Sequence, residues 1–203
     1  MTGPPRSIAG RLPRPFKYPV WQVSHLTQRI ADPRHTRSTG RKWEILVSKK
    51  TRATEALETR GVAFSVHTYD YHPGADQIGL KAAEALGEPR QRVLKTLMAL
   101  VDGKPVCVVV PSDREVSMKK LAAAFNGKSA EMMKPAEAER ISGYAVGGIS
   151  PFGQRRQVPT VMEEQALAET FVFINGGQRG LQVRLDPKLA LQAVGGKAAA
   201  VIA

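Results

Sequence analysis

The sequence contains one cysteine, Cys107, among 203 residues, and it has no long apolar run. A single thiol excludes an internal disulfide framework and fits a reducing compartment, so we expect a cytoplasmic protein. No stretch approaches the roughly 20 apolar residues that a membrane-spanning helix needs. The amino terminus also lacks the apolar segment of a secretory signal. These absences predict that the chain does not cross a membrane.

Several catalytic signatures are also missing. The sequence has no phosphate-binding loop of the P-loop type, no GxSxG nucleophile elbow and no HExxH zinc motif. Its histidines and acidic residues form no tight cluster at metal-ligand spacing, so we expect neither a metal nor another cofactor. Cys107 lies in the apolar run PVCVVVP, where burial raises the pKa of a thiol, so we expect it to be structural.

Acidic residues are scarce relative to basic ones: 18 Asp and Glu stand against 30 Lys and Arg, a net charge of +12. Such a charge favours a polyanionic partner, either nucleic acid or an anionic membrane surface. Residues 1–46 carry nine basic and two acidic residues and many prolines. We expect them to form a disordered extension that either binds RNA or reflects a misassigned start codon, and residues 47–203 to form the folded domain.

Helical and strand-like patterns alternate from Thr51 onward. Periodicity and capping signals predict helices in TRATEALETRG, LKAAEALG, SMKKLAAAF, KPAEAERIS and PKLALQAVGG. Apolar alternation or short apolar runs predict strands in VAFSVHTYDY, VLKTLMALV, KPVCVVVP, PTVME, TFVFIN and LQVRLD, with a tight turn at Asp102-Gly103. Helices mixed with hairpin-linked strands predict an α+β fold with a mixed or largely antiparallel sheet.

Two glycine-rich segments stand out. GYAVGGISPFGQRR, residues 143–156, combines four glycines with Arg155 and Arg156. Glycines let a ligand approach bare N–H groups, but glycine-rich turns are also common in ordinary loops, so both interpretations stay open. The second segment, FINGGQRG, has Asn175 at the end of a strand and Arg179 in the following loop.

A single lysine, Lys95, interrupts the apolar segment RVLKTLMAL. Its ammonium either extends to water or lies over a pocket, where it can bind a phosphate or the ribose end of a nucleotide. This lysine and the two glycine-rich turns all lie near strand ends, so they can converge on one cleft.

The segments VLKTLMAL, GYAVGGISPFGQRRQVPTVMEE and FINGGQRGLQVRLDP, in this order and spacing, resemble the YbaK/EbsC family of aminoacyl-tRNA deacylases. These enzymes are relatives of the editing domain inserted in bacterial prolyl-tRNA synthetases. The resemblance spans about residues 49–203 and implies a single domain with a curved mixed β-sheet flanked by helices. It also implies clearance of Cys-tRNA(Pro), in which the substrate's own thiol attacks its ester carbonyl and no protein nucleophile is needed.

The resemblance also implies roles for individual residues. Lys95 matches the family's key lysine, and Gly147 and Gly148 match the loop whose backbone holds the ester, so these three are the implied catalytic residues. Asn175 stands where the family usually has serine, and Ile78 stands where it usually has an aromatic residue, which leaves the cleared amino acid open. The implied substrate-binding residues are Tyr69, Ile78, Ser150, Pro151, Asn175, Gly176 and Arg179, and the implied tRNA rim is Arg155 and Arg156.

The implied partner is an aminoacyl-tRNA, with tRNA(Pro) or tRNA(Cys), and prolyl-tRNA synthetase is a further candidate. No membrane partner is implied. Two alternatives stay open: clearance of another misacylated tRNA such as Ala-tRNA(Pro), and a non-catalytic module that binds tRNA or a synthetase.

Overall fold

The computed structural model describes residues 50–71 and 78–203, with residues 78 and 79 described by their backbone only. The expected extension, residues 1–46, and the expected domain start at residue 47 lie outside the described residues. Within the described ranges, no helix is both long and apolar enough to cross a membrane.

The described ranges contain five α-helices: Arg52–Thr59 (α1), Ile78–Leu86 (α2), Met118–Ala124 (α3), Pro135–Ser142 (α4) and Pro187–Ala193 (α5). α1 begins after Thr51, whose hydroxyl accepts a hydrogen bond from the Thr54 N–H in a capping box. α4 has Pro135 in its first turn and ends before Gly143, whose φ of 73° is left-handed. The helix ends therefore follow local sequence signals.

The described ranges contain eight β-strands: Phe64–Thr68 (β1), Val93–Val101 (β2), Lys104–Pro111 (β3), Ala130–Met132 (β4), Thr160–Glu163 (β5), Val172–Asn175 (β6), Leu181–Leu185 (β7) and Lys197–Ala199 (β8). The turn between β2 and β3 has positive φ at both Asp102 (48°) and Gly103 (74°), as a tight hairpin requires. The helices and strands that the sequence predicts are confirmed, and the short strands β4 and β8 are additional.

The strands form one mixed sheet in the order β1-β7-β6-β2-β3-β5-β8, with β4 also paired to β2. The pairs β2–β6, β3–β5 and β5–β8 are parallel, and the other four pairs are antiparallel. The predicted α+β fold with a mixed sheet is therefore confirmed.

The sheet opens in the middle of β2. One edge of β2 pairs with β3 along nearly its whole length. The other edge pairs with β6 only at Val93–Leu94 and with β4 only at Ala99–Val101. Residues 95–97 therefore have no described strand beside them on this edge.

Lys95 lies on the sheet face that carries α2 and α3. Side chains alternate between the faces of a strand, so Lys95 shares its face with Val93 and Ala99. Val93 packs in a small cluster with Ala82 and Ala83 of α2, whereas Ala99 packs in a cluster that includes Leu121 of α3. The lysine therefore lies between the two helix-covered parts of this face, at the opening of the sheet.

Candidate functional site

A cavity of about 610 Å³ lies at the opening of the sheet. Its lining comes from β2, α2, the connection between β3 and α3, α4 and both glycine-rich segments. Four of the residues that the sequence singles out line it: Tyr69, Lys95, Gly147 and Asn175. The side chain of Ile78 lies outside the described part of the chain. The structure thus brings Lys95 and both glycine-rich segments to one cavity, as the sequence predicts.

Strand register aligns three polar side chains across one face of the sheet. Gln182 of β7 is paired with Asn175 of β6. Leu94 of β2 is paired with Ile174 of β6, so Lys95 and Asn175 are each one residue beyond that pair. Neighbouring strands are about 4.8 Å apart, so the row Gln182–Asn175–Lys95 spans two strand spacings.

Lys95 is a half-buried cation. Its Nζ lies 3.4 Å from the carbonyl oxygen of Ser112. Burial lowers the pKa of the Lys95 ammonium, and the nearby carboxylates of Glu115 and Asp113 only partly oppose this effect. No ion pair within 4 Å joins Lys95 to either carboxylate. The ammonium is therefore partly desolvated and can gain from contact with an anionic or polar ligand.

Three buried polar atoms of the cavity lining have no hydrogen-bond partner among the described residues: the Tyr69 hydroxyl, Thr96 Oγ1 and Gln182 Oε1. Thr96 and Gln182 are only 8% and 4% exposed. Burial raises the pKa of the Tyr69 phenol, and interaction with the Gln182 side chain opposes this in part, although the two groups form no hydrogen bond of standard geometry. An unsatisfied buried polar group costs about 1–3 kcal/mol. This arrangement suits a bound ligand that supplies the missing hydrogen bonds.

Asn175 and Arg179 hold the two glycine-rich segments together. Asn175 Nδ2 donates to the Gly147 carbonyl oxygen at 3.2 Å, and its Oδ1 accepts from the Gly177 N–H at 2.8 Å. Arg179 Nε donates to the Val146 carbonyl oxygen at 2.8 Å. The sequence predicts substrate contacts for both side chains, whereas the structure engages these polar atoms in contacts between the loops.

The two central glycines differ in what their N–H groups do. The Gly148 N–H donates to the Ala145 carbonyl oxygen at 2.8 Å, so it is not the bare donor that the sequence suggests. A Cβ at Gly148 would lie only 3.0 Å from the Arg179 nitrogen, so close packing of the loops favours glycine there. Gly147 has a φ of 83°, and its N–H has no hydrogen-bond acceptor within the described ranges. Of the two glycines, Gly147 is the one that lines the cavity and has an N–H without an acceptor in the described ranges.

Like Arg179, three further expected substrate-binding residues are not part of the cavity lining. Ser150 is fully buried, and its Oγ accepts from the Phe152 N–H at 3.3 Å. Pro151 borders a separate small pocket. Gly176 donates its N–H to the Leu181 carbonyl oxygen, and its own carbonyl accepts from Thr51 at 2.6 Å. These residues shape the loops around the cavity rather than its surface.

Arg155 and Arg156 are exposed and do not line the cavity. Their backbone N–H groups donate to the carbonyl oxygens of Ser142 and Ile141, which fixes this end of the first glycine-rich segment against α4. Tyr144 extends the same anchoring, because its hydroxyl donates to the Phe152 carbonyl oxygen at 2.7 Å. The segment therefore contains both an ordinary structural turn and, at Gly147, part of the cavity.

Five polar lining residues were not assigned roles from the sequence: Thr96, Ser112, Asp113, Glu115 and Gln182. Thr96 directly follows Lys95 and could have been found by that proximity. The others reach the cavity only through the strand register and the path of the β3–α3 connection. Cys107 is fully buried, as the apolar run predicts, and burial raises the pKa of its thiol to about 12. Among residues 50–71 and 78–203, no three His, Cys, Asp or Glu residues group as metal ligands would.

Comparison with known proteins identifies relatives in sequence. A family profile described as the aminoacyl-tRNA editing domain matches residues 72–191. The chain is 32% identical over 155 residues to a protein of Enterococcus faecalis named for Cys-tRNA(Pro)/Cys-tRNA(Cys) deacylation, EbsC, and the match covers 75% of this chain and 93% of that protein. The proline–tRNA ligase of Acidithiobacillus ferrooxidans is 32% identical over 85 residues, which are 42% of this chain and 15% of the ligase.

Two solved structures share the fold. One, described as a trans-editing enzyme for prolyl-tRNA synthetase, has a TM-score of 0.64 and 24% identity, and the match covers 75% of this chain and 95% of that chain. The hypothetical protein APE2540 has a TM-score of 0.66 and 21% identity, with 75% and 100% covered. Because the family profile matches more than half of the sequence and EbsC aligns over nearly its whole length, the chain belongs to the aminoacyl-tRNA editing domain family.

Proposed function

We propose that the protein is a trans-acting deacylase of mischarged aminoacyl-tRNA, with Cys-tRNA(Pro) as its main substrate. Family membership and the name of the Enterococcus faecalis relative support this activity. Action in trans is supported by the extent of the matches, which is 93% of EbsC but only 15% of the ligase. Prolyl-tRNA synthetase is a candidate partner that would deliver tRNA(Pro).

One observation carries the proposal. A half-buried ammonium, a free glycine N–H and three unpartnered polar atoms line a single cavity, at residues Lys95, Gly147, Tyr69, Thr96 and Gln182. The described lining contains no cysteine or histidine. Such a cavity can bind and polarise an ester, and its described lining offers neither a thiol nor an imidazole as nucleophile. A substrate that brings its own nucleophile fits it.

The cysteinyl ester supplies that nucleophile. Its thiol loses a proton and attacks the ester carbonyl carbon, the bond to the ribose oxygen breaks, and that oxygen takes up a proton. The products are free tRNA and a cyclic thioester, which water then opens. The Gly147 N–H stabilises the developing oxyanion, and Lys95 orients the terminal ribose or phosphate. Asn175 and Arg179 position Gly147, and Arg155 and Arg156 guide the acceptor stem.

The test is to incubate the protein with labelled Cys-, Ser-, Ala- and Pro-tRNA and to follow deacylation. Cys-tRNA should be cleared much faster than Ser-tRNA, because a hydroxyl of similar size is far less nucleophilic than a thiol. Equal rates for these two would contradict attack by the substrate thiol and require an activated water. Faster clearance of Ala-tRNA(Pro) would assign a different substrate, and no clearance at all would favour a non-catalytic module that binds tRNA or a synthetase.

A further inference from the structure

The cavity carries a charge opposite in sign to that of the whole chain. The chain has a net charge of +12. Among the described residues, however, the cavity is lined by one cation, Lys95, and by two carboxylates, Asp113 and Glu115. Carboxylates in a cleft that receives an RNA end weaken binding to phosphate, because like charges repel. Their presence there suits a ligand that carries a positive charge as well as a negative one.

Neither carboxylate has a close hydrogen-bonding or ion-pair partner within the described part of the chain. Asp113 and Glu115 form no ion pair there with a basic residue and accept no side-chain hydrogen bond. Both are exposed to solvent. Lys95 contacts the Ser112 carbonyl oxygen instead of either carboxylate. The two negative charges are therefore free to interact with a ligand.

The backbone holds these carboxylates at the cavity. The Ser112 N–H donates to the Val93 carbonyl oxygen at 2.8 Å, next to Asp113. The Glu115 carbonyl oxygen accepts from the Ala203 N–H at 2.9 Å. Because both ends of this short segment are fixed, the two acidic side chains start from defined positions beside Lys95. Preorganised groups lose less entropy when a ligand binds.

A second observation points to a ligand in the same cavity. Thr96 Oγ1 and Gln182 Oε1 are more than nine-tenths buried, line the cavity and have no hydrogen-bond partner in the described ranges. Buried polar atoms are normally satisfied, so these two indicate a polar group that enters the cavity. The carboxylates and the unpartnered atoms therefore line the same cavity.

We propose that Asp113 and Glu115 bind the α-ammonium group of the aminoacyl ester, an inference that rests on the proposed deacylase function. The α-ammonium is the cation that an aminoacylated RNA end brings to this cavity. Lys95 then meets the negative ribose–phosphate side of the same ligand, while the carboxylates meet its positive side. The site recognises an aminoacyl-tRNA with a free amino group and disfavours one whose amino group is acylated.

The experiment compares Cys-tRNA with N-acetyl-Cys-tRNA. Acetylation removes the positive charge but keeps the thiol and the ester. For each protein the selectivity is the ratio of kcat/KM values for the two esters, corrected for spontaneous hydrolysis. Differences in intrinsic reactivity between the esters cancel when selectivities of two proteins are compared. We expect the Asp113→Asn/Glu115→Gln variant to have a selectivity about tenfold lower than the wild type, the effect of one charge-assisted hydrogen bond.

A matched control removes two other carboxylates. Glu131 and Glu164 are exposed and do not line the cavity. The Glu131→Gln/Glu164→Gln variant has the same net charge as the test variant. Both variants should therefore bind tRNA more tightly than the wild type and by similar amounts, but the control should keep the wild-type selectivity. Thermal unfolding checks that both variants fold, and the single Asp113→Asn and Glu115→Gln variants serve if the double variant does not.

The outcomes separate the inference from the proposed function. A wild-type protein that clears Cys-tRNA, combined with unchanged selectivity in the Asp113→Asn/Glu115→Gln variant, overturns the ammonium site and leaves the deacylase function standing. An equal loss of selectivity in the control variant also overturns it, because general electrostatics would then explain the effect. A wild-type protein that clears neither ester contradicts the deacylase function, and the inference falls with it.

Discussion

Replacement of Asn175 by alanine tests whether the two glycine-rich segments must be held together. The side chain is 6% exposed and makes two hydrogen bonds, to the Gly147 carbonyl oxygen at 3.2 Å and from the Gly177 N–H at 2.8 Å. Each such bond contributes about 1 kcal/mol net. We therefore expect Asn175→Ala to lower the free energy of unfolding by about 2 kcal/mol, or Tm by about 4–8 °C for a domain of this size.

The same change should lower kcat more than it changes KM. Asn175 contacts the carbonyl of Gly147, so its loss lets the backbone donor at the ester move without removing a contact to the substrate itself. Asn175→Asp keeps an acceptor for the Gly177 N–H but loses the donor to Gly147. Because the new carboxylate would be buried and would face the Gly147 carbonyl oxygen, this variant should recover little stability and little turnover.

The assays are denaturant unfolding and steady-state deacylation of Cys-tRNA by the same preparations. Gln157→Ala is a matched control, because Gln157 is exposed, lies outside the cavity lining and loses one hydrogen bond, from Nε2 to the Val194 carbonyl oxygen. It should cost less than about 1 kcal/mol and leave turnover unchanged. An Asn175→Ala variant with normal stability and a raised KM would refute the positioning role and identify Asn175 as a substrate contact.

The other predictions concern the lysine, the thiol, two glycines and the amino-terminal segment. Lys95→Ala should lower kcat/KM at least about tenfold with the fold intact, and Lys95→Arg should also be impaired because a planar guanidinium does not replace a compact ammonium. Since burial lowers the pKa of Lys95 below its ordinary value of 10.5, wild-type activity should decline with rising pH before pH 10.5 is reached. Between the folded-state pKa of Lys95 and pH 10.5, the unfolded chain binds more protons than the folded one, so the contribution of Lys95 to stability rises with pH. A pH–rate profile tests the expected fall in activity, and unfolding measured as a function of pH tests the expected rise in stability. Cys107→Ser should leave deacylation unchanged, because the buried thiol has a pKa of about 12, and should cost about 1–3 kcal/mol in denaturant unfolding; a large loss of kcat would contradict this. Gly153→Ala should lose at least about 2 kcal/mol of stability, because its φ is 60° and a Cβ would overlap the Arg52 carbonyl oxygen. Gly148→Ala should cost less stability, because its Cβ would lie 3.0 Å from the Arg179 nitrogen, and should lower turnover by shifting the adjacent Gly147. Deletion of residues 1–46 removes seven net positive charges and should change neither kcat nor KM, measured at two salt concentrations; a higher KM with a weaker salt dependence would instead show that this segment binds RNA.

Local sequence signals were sufficient for most of the secondary structure. The capping box at Thr51, Pro135 in the first turn of α4 and the turn at Asp102-Gly103 act over a few residues, so they can be read without the fold. The strands β4 and β8 were not predicted. Each has three residues, and each forms only because a longer strand, β2 or β5, offers it an edge.

The candidate site, like the secondary structure, could be predicted only in part from local sequence signals. Lys95 could be identified from the sequence because a charged residue within an apolar strand is unusual. Gly147 could be identified because it lies in a glycine-rich segment. Residues next to Gly147 in the sequence, such as Ser150 and Pro151, shared that signal but turn into the protein, away from the cavity. Sequence proximity to a site residue therefore predicts contact with the cavity at Thr96, next to Lys95, but not at Ser150 or Pro151.

The sequence by itself determined the order of helices and strands, the buried thiol of Cys107 and the family resemblance, because these depend on local pattern and on motifs. Only the tertiary structure decided which polar atoms share the cavity. Gln182 enters it through the register of β7 with β6, and Asp113 and Glu115 enter it through the path of the chain after β3. The physical reason is that pairing between strands distant in sequence sets which side chains become neighbours, and no local pattern encodes that pairing.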